Sequence, residues 1–162
     1  MLLVFEKLPE TMEEFMKSPY AGLEKPEYTA ALFIAAMSQY EANPELALEM
    51  LRYLKGPGGL SVYEKQFIAD RLRGKAYVVR SYFKGSSPEN DYTPLLPYTV
   101  EITENPYSYD QKDHAKFFMR SSGADSPRPI QLRLKPSASQ WFLTEQLLLG
   151  GIRIPVSQDP WA

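Results

Sequence analysis

The part of the sequence with the most evident chemical potential is SSGADSPRP at residues 121–129, where an acid, three serines and an arginine stand close together. Asp125, Ser126 and Arg128, with Arg133 a little further on, could bind an anionic or hydroxylated ligand, because a guanidinium is a planar fork of donors. A structural interpretation competes with this one. The glycine would supply the turn, the acid or a serine would cap it, and the prolines would stiffen the return.

A second group of candidate residues is basic and lies in residues 64–84, where six basic side chains outnumber two acidic ones. Together with the tyrosines between them, these cations could follow a phosphate backbone and stack on bases. The simpler interpretation is pairing with the N-terminal part, since residues 1–50 carry nine acidic and three basic side chains. The residues considered for polyanion binding are Lys65, Arg71, Arg73, Lys75 and Arg80.

Other catalytic and ligand-binding patterns are weak. There is no cysteine and only one histidine, His114, which would need further metal ligands from distant parts of the chain. The glycines of KGPGGLSVYEK, residues 55–65, could expose amides to a phosphate, but the P-loop spacing is absent. We therefore interpret them as the end of one helix and the start of the next, and we predict no metal, no cofactor and no identifiable catalytic residue.

Length and composition restrict the class of protein. A chain of 162 residues with 44% hydrophobic and 23% charged residues is typical of one ordinary globular domain. The net charge of −2 argues against nucleic acid as a partner. No apolar run approaches the ~20 residues that cross a bilayer, so we predict no membrane association. The lack of cysteine is compatible with the cytoplasm, which is the predicted location.

The elements that would position these side chains change character along the chain. In residues 1–74, capping residues or a proline in a first turn signal four helix starts, at Thr11, Pro26, Asn43 and Ser61. The second helix is expected to be amphipathic, with a broad apolar stripe from Tyr28 to Tyr40. The segment YVVRSYF at residues 77–83 could be a short strand.

From Tyr98 onwards, apolar and polar residues alternate with a period of two. Four segments show this pattern and are separated by loop-like sequences: 98–103, 115–120, 130–135 and 141–146. The spacing favours an antiparallel meander with one face against the helices and one wetter face. The last segment, WFLTEQLLL, could also form a helix.

These elements predict an α+β fold in which about four N-terminal helices pack on a C-terminal four-stranded antiparallel meander sheet. We expect a single domain over residues 1–162, with a helical part at 1–74, a sheet part at 96–147 and a docked tail at 148–162. Trp161 is expected to pack on the domain and fix this tail. If it does not, its indole becomes a natural contact for a partner or a second copy.

Several segments together resemble a known family: KPEYTAALFIAAMSQY, KQFIADRLRGKAY, SYFKGSSPENDYTPLLPYTV, SSGADSPRPIQLRLK and WFLTEQLLLGGIRIPVSQDPWA. The resemblance is to small uncharacterised bacterial proteins, mostly Gram-positive, that share a domain of unknown function, and it covers residues 19–162. It implies a bacterial, cytoplasmic, single-domain protein. It implies no activity, cofactor or catalytic residue.

The function expected from the sequence is a non-catalytic binding or protein-interaction module, because no motif assembles a nucleophile with its base or a set of metal ligands. One alternative is a small-molecule-binding protein or an enzyme with a pocket between sheet and helices near the 121–128 loop. Another is polyanion binding through residues 65–84. The partner is expected to be a protein or a small molecule, and a homodimer is left open.

Overall fold

A computed structural model describes residues 1–162 as five α-helices and five β-strands, which confirms the α+β class. The helices are α1 (Met12–Met16), α2 (Pro26–Met37), α3 (Pro44–Lys55), α4 (Val62–Leu72) and α5 (Tyr77–Arg80). The strands are β1 (Leu2–Phe5), β2 (Tyr98–Thr103), β3 (His114–Met119), β4 (Arg128–Lys135) and β5 (Gln140–Gln146). Strands β2 to β5 correspond to the four alternating segments, so WFLTEQ is a strand and not a helix.

Local capping begins three of the helices, as the sequence predicts. The side-chain oxygen of each capping residue accepts a hydrogen bond from the main-chain N–H three residues later, at 3.0 or 3.1 Å: Thr11, Asn43 and Ser61. Pro26 and Pro44 occupy first-turn positions, where a missing N–H has no intrahelical partner to lose. Helices α3 and α4 are separated by a short connection that contains the Gly56–Gly58 turn.

All strand pairs are antiparallel, and the strands follow one another in the order β1-β2-β3-β4-β5. The register sets Phe117 beside Ile130 and Leu132 beside Leu143, and all four side chains are buried against the helices. The β4–β5 pairing shifts at Gln131/Leu132, so that Thr144 is an extra residue on β5. Because the sheet is open, β1 and β5 are its two edges.

Two elements differ from the sequence prediction, which counted four helices and four strands. Strand β1 was not predicted, because four residues are too few to establish an alternation; Leu3 and Phe5 nevertheless fill the core. The strand considered for residues 77–83 does not form: Tyr77–Arg80 are one helical turn, and Phe83 forms an isolated bridge with Val100 of β2. The β-branched residues of this segment favour a strand, but Tyr77, Val78 and Val79 are all buried, which a strand with one wet face would not permit.

Helix α2 is the centre of the core. Ten of its twelve residues are buried, so the amphipathic stripe expected from the sequence is wrong. The helix contacts α3 on one side and strands β1, β2, β4 and β5 on the other, which leaves no solvent face. A helix that is apolar all round is typical of such a central position.

The C-terminal tail packs on the domain along most of its length, from Leu148 to Ser157. Leu148 and Leu149 are buried, and the Tyr82 hydroxyl donates a hydrogen bond to the main-chain oxygen of Leu148 at 2.5 Å. The expected docking of Trp161 is wrong: this residue is 93% exposed. Its main-chain N–H donates to the Asp159 carboxylate, a local contact that leaves the indole in solvent.

No helix in the structure combines the length and the apolar composition that crossing a bilayer requires.

Candidate binding groove along strand β5

The two edge strands of the sheet are protected to different extents. On β1, the Tyr20 hydroxyl accepts a hydrogen bond from the Val4 N–H and donates one to the Val4 carbonyl oxygen, both at 2.9 Å. A side chain thus occupies the main-chain groups that β1 would otherwise offer to another strand. The edge of β1 is short and closed.

The edge of β5 is closed at one residue. The Trp141 N–H donates to the Leu23 carbonyl oxygen at 2.9 Å, and the Trp141 carbonyl oxygen accepts from the Thr29 hydroxyl at 2.6 Å. Over residues 142–146, no element other than β4 forms a main-chain hydrogen bond with the strand. An uncovered strand edge is a template on which a further strand can pair.

Two cavities follow this edge and together form what we call the β5 groove. The first, of 370 Å³, lies between β5 and helices α3 and α4. The second, of 570 Å³, lies beside the Gly56–Gly58 turn and the end of β4. Three residues line both cavities, which makes the groove continuous: Lys55, Leu143 and Thr144.

The local sequence explains why the groove is open. Helix α3 and the Gly56–Gly58 turn pack against β5, whereas α4 does not pack closely on it. Gly56 has a φ of 53°, and a Cβ at this position would overlap the Phe142 ring. Only glycine therefore allows the turn to approach β5 here. The chain then starts α4 at the Ser61 cap, with a gap left between α4 and the strand.

An ion pair with one buried partner lies in the wall of the groove. The Lys55 ammonium, whose side chain is 9% exposed, lies 2.7 Å from the Glu64 carboxylate, whose side chain is 38% exposed. The pair joins the last residue of α3 to the first turn of α4. A buried ammonium without a partner is strongly destabilising, so the pair fixes the separation of the two helices at this place.

The two ends of the groove differ in chemistry. The first cavity has an apolar interior formed by Phe33, Leu51 and Ile68, with Tyr63 at its rim. The second is bordered by Arg133 and Lys135, which are exposed and form no ion pair within the chain. The groove thus combines apolar surface, cations, the carboxylates of Glu64 and Glu145, and an open strand edge.

Residues 7–156 match the model of a family described as a domain of unknown function, DUF6935. The chain belongs to this family. The resemblance inferred from the sequence is therefore confirmed for an uncharacterised domain. No curated protein and no solved structure matches the chain. The matched range contains every residue that lines the β5 groove.

The 121–128 loop predicted as a site is bound to the C-terminal tail. The Asp125 carboxylate accepts a hydrogen bond from the Arg153 guanidinium at 2.7 Å, which raises the pKa of Arg153. Arg128 donates to the Gly151 carbonyl oxygen at 2.9 Å, while Ser126 is exposed and its side chain forms no hydrogen bond. The structure thus uses Asp125 and Arg128 in contacts within the chain and places Arg133 elsewhere, in the β5 groove.

The serines at the start of this loop join it to α5. The Ser121 hydroxyl donates to Ser81 Oγ at 2.7 Å, and Ser81 Oγ donates to the Val78 carbonyl oxygen at 2.7 Å. The hydroxyl oxygens of Ser86 and Ser122 lie 3.1 Å apart. A polar depression of 240 Å³ lies beside them, bordered by Lys84 and Arg120. Sequence reasoning did not identify Ser81 or Ser86, because only the tertiary fold brings them to the loop.

The five basic candidates are distributed over two helices and the connection between them. Lys65 and Arg71 are on α4, Arg73 and Lys75 follow it, and Arg80 ends α5. None of them forms an ion pair, so the expected pairing with the acidic N-terminal part is wrong. The acids of α1 pair instead with nearby lysines, as in Lys7–Glu14 and Lys17–Glu13. Arg71 lies 5.0 Å from the centre of the Phe67 ring.

The remaining candidates, His114 and the glycines of residues 55–65, have structural roles. His114 is the first residue of β3, and its Nδ1 lies 2.7 Å from the Lys112 carbonyl oxygen. The glycines of residues 55–65 end α3 and precede α4, as the structural interpretation predicts. Their functional importance is indirect, because they bring the turn onto β5.

Proposed function

We propose that this chain is a non-catalytic interaction module that binds an extended peptide segment of a partner protein along β5. The observation that carries the proposal is the uncovered edge of β5 over residues 142–146, with a continuous groove beside it. The peptide would add a further strand to the sheet. Its main-chain hydrogen bonds would supply affinity, and the groove would select its side chains.

The shape of the groove favours an extended chain over a helix. The two cavities follow β5 from Phe142 to Leu147, a distance of about 17 Å for strand geometry. A helix satisfies its own main-chain groups and would leave the edge of β5 unpaired. An extended peptide satisfies that edge and reaches both cavities with alternate side chains.

The chemistry of the lining defines the partner segment. An aliphatic or aromatic side chain fits the interior formed by Phe33, Leu51 and Ile68. An acidic residue of the same peptide would lie near Arg133 and Lys135, which have no partner within the chain. Complementary charge of this kind determines specificity and orientation more than affinity.

Selection from a displayed library of unstructured decapeptides, with the purified protein as bait, tests the proposal. We expect enriched peptides to combine an apolar residue with an acidic one, and we expect the bound peptide to slow amide hydrogen exchange in residues 142–146. Tyr63→Ala should weaken binding of the selected peptide by about tenfold, as loss of an aromatic contact at an interface does.

A charge exchange makes the test specific. Arg133→Glu should weaken binding by about fivefold, and replacing the acidic residue of the peptide by lysine should restore it. Lys84→Glu, which changes the charge of an exposed residue that lines neither cavity of the groove, is the matched control and should have no effect. The proposal is wrong if no peptide is enriched, if bound peptides leave residues 142–146 unprotected, or if Arg133→Glu acts no differently from Lys84→Glu.

Several expectations from the sequence stay predictions beside this proposal. They are the cytoplasmic location, the bacterial origin, a homodimer, a small-molecule pocket at the 121–128 loop, and polyanion binding through residues 65–84. Polyanion binding requires an affinity for heparin or single-stranded DNA that falls steeply with salt. Sedimentation of the purified chain over a range of concentrations tests the homodimer.

A further inference from the structure

A separate cleft of 300 Å³ lies at the C-terminal end of α2. Its walls come from α2, α4, α5 and β2 and are largely apolar, with Met37, Leu72, Val79 and Phe83 all buried. The cleft shares no lining residue with the β5 groove. A site here is therefore independent of peptide binding along β5.

Four polar groups that line this cleft have no partner within the chain. Tyr40 is 6% exposed, yet its hydroxyl forms no hydrogen bond, and the Tyr98 hydroxyl forms none either. The Arg80 guanidinium and the Glu41 carboxylate form neither a hydrogen bond nor an ion pair, with each other or with any other residue. None of these four groups is buried away from solvent, so water satisfies them in the free protein, and a ligand in the cleft could replace that water with its own donors and acceptors.

We propose that this cleft binds a free α-amino acid with a large apolar side chain. Arg80 binds the carboxylate, Glu41 binds the ammonium group, and the apolar walls take the side chain. The tyrosine hydroxyls add hydrogen bonds to the carboxylate. A few convergent polar groups on an apolar cleft are typical of small-molecule sites, and 300 Å³ is at the small end of their range.

The two opposite charges select the zwitterion. A simple carboxylate would bind Arg80 but would be repelled by the unpaired Glu41 carboxylate. A simple amine would bind Glu41 but would be repelled by the Arg80 guanidinium. Only a ligand that carries both charges satisfies both side chains at once. The charge on Arg80 thus has a small-molecule role, distinct from the polyanion role considered from the sequence.

Three probes of equal ring size separate these cases: L-phenylalanine, 3-phenylpropionate, which lacks the ammonium group, and phenethylamine, which lacks the carboxylate. Binding is measured by changes in the amide NMR signals of the full-length protein, with each probe added up to about 10 mM, a range suited to ligands of this size. We expect L-phenylalanine to shift signals in α5 and in residues 40–42 and to bind at least about tenfold more tightly than either analogue.

Variants of the two charged residues should change the affinity for 3-phenylpropionate in opposite directions. Arg80→Gln should weaken binding of both L-phenylalanine and 3-phenylpropionate by about tenfold. Glu41→Gln should weaken binding of L-phenylalanine but strengthen binding of 3-phenylpropionate. Lys75→Gln removes an exposed cation of the same segment that does not line the cleft, and it should change neither.

Three results would overturn the proposal: no signal change with L-phenylalanine, equal affinity for 3-phenylpropionate, or a Glu41→Gln variant that affects both ligands alike. Because Arg80 and Glu41 are partly or fully exposed, their conservative amide variants are expected to fold, which the amide spectrum itself verifies. Failure here leaves peptide binding at β5 unaffected, since the two sites share no lining residue.

Discussion

The Lys55 ammonium lies 2.7 Å from the Glu64 carboxylate and is largely withdrawn from solvent by the fold. The two residues are nine positions apart, with a glycine turn and a helix cap between them. The ion pair therefore connects the end of α3 to the start of α4 across the wall of the β5 groove. Its removal should have different consequences depending on which partner is lost.

Glu64→Gln should lower the free energy of unfolding by about 1–2 kcal/mol, because the Lys55 ammonium then stays buried without an opposite charge. The partial exposure of Glu64 keeps this loss below that of a fully buried pair. Lys55→Met, which replaces the ammonium by an apolar group, should cost less. Urea unfolding of both variants and of the double variant measures the coupling, and additive losses would contradict the pairing.

Gly56→Ala should destabilise the protein more than Gly74→Ala. Both glycines have a positive φ, 53° and 70°, and Gly56 also has a ψ of −128°, outside the left-handed helical region, so the backbone strain of alanine costs about 1–3 kcal/mol at either position. At Gly56 the added methyl group also overlaps the Phe142 ring, whereas at Gly74 nothing lies within 4 Å. We expect an additional loss of about 1–3 kcal/mol at Gly56, measured by thermal or urea unfolding. Equal losses would show that the turn does not need to lie against β5.

Stability should fall as the pH rises above 10, and Tyr82 should contribute to the fall. Burial raises the pKa of Tyr82 far above its ordinary value of 10.0. In the pH window above 10, the unfolded chain loses this proton and the folded chain keeps it, so deprotonation favours unfolding. Urea unfolding from pH 8 to pH 11 should show a smaller decline for Tyr82→Phe than for the unchanged protein. An identical decline in both would contradict this assignment.

At neutral pH the same variant reports on the C-terminal tail. Tyr82→Phe removes the hydrogen bond to the Leu148 carbonyl oxygen and should cost about 1 kcal/mol. Tyr107→Phe, which removes an exposed hydroxyl that forms no hydrogen bond within the chain, is the control and should leave the stability at pH 7 unchanged. Equal stability of the two variants would mean that the hydroxyl of Tyr82 does not hold the tail.

Thr29→Val should loosen the closed end of β5. Thr29 is fully buried and its hydroxyl donates to the Trp141 carbonyl oxygen, so the variant leaves that oxygen unpaired at a cost of about 1–2 kcal/mol. Amide exchange at Trp141 should become faster. Thr103→Val removes a hydrogen bond at an exposed position, where water replaces it, and should cost less. A loss at Thr103 equal to that at Thr29 would exclude the special role of the buried hydroxyl.

The sequence by itself determined the elements that depend on near neighbours in the chain. The caps at Thr11, Asn43 and Ser61 act over three residues, and the alternation in β2 to β5 reflects one buried face of each strand. The alternation is a strong signal because it repeats along each strand. A cap is a strong signal because its hydrogen bond closes within one helical turn. The antiparallel arrangement could be predicted as well, since the loops between the strands are too short for the crossover connections that parallel strands need.

Only the tertiary structure decided which side chains meet. The Lys55–Glu64 pair, the approach of Gly56 to Phe142 and the unpaired groups around Arg80 depend on contacts between elements, which leave no periodic trace in the sequence. Asp125 and Arg128 form an evident chemical cluster, yet the tail that lies 23 to 28 residues away engages both of them. The burial of α2 and the helical form of Tyr77–Arg80 likewise arise from packing, because a central position overrides local propensity.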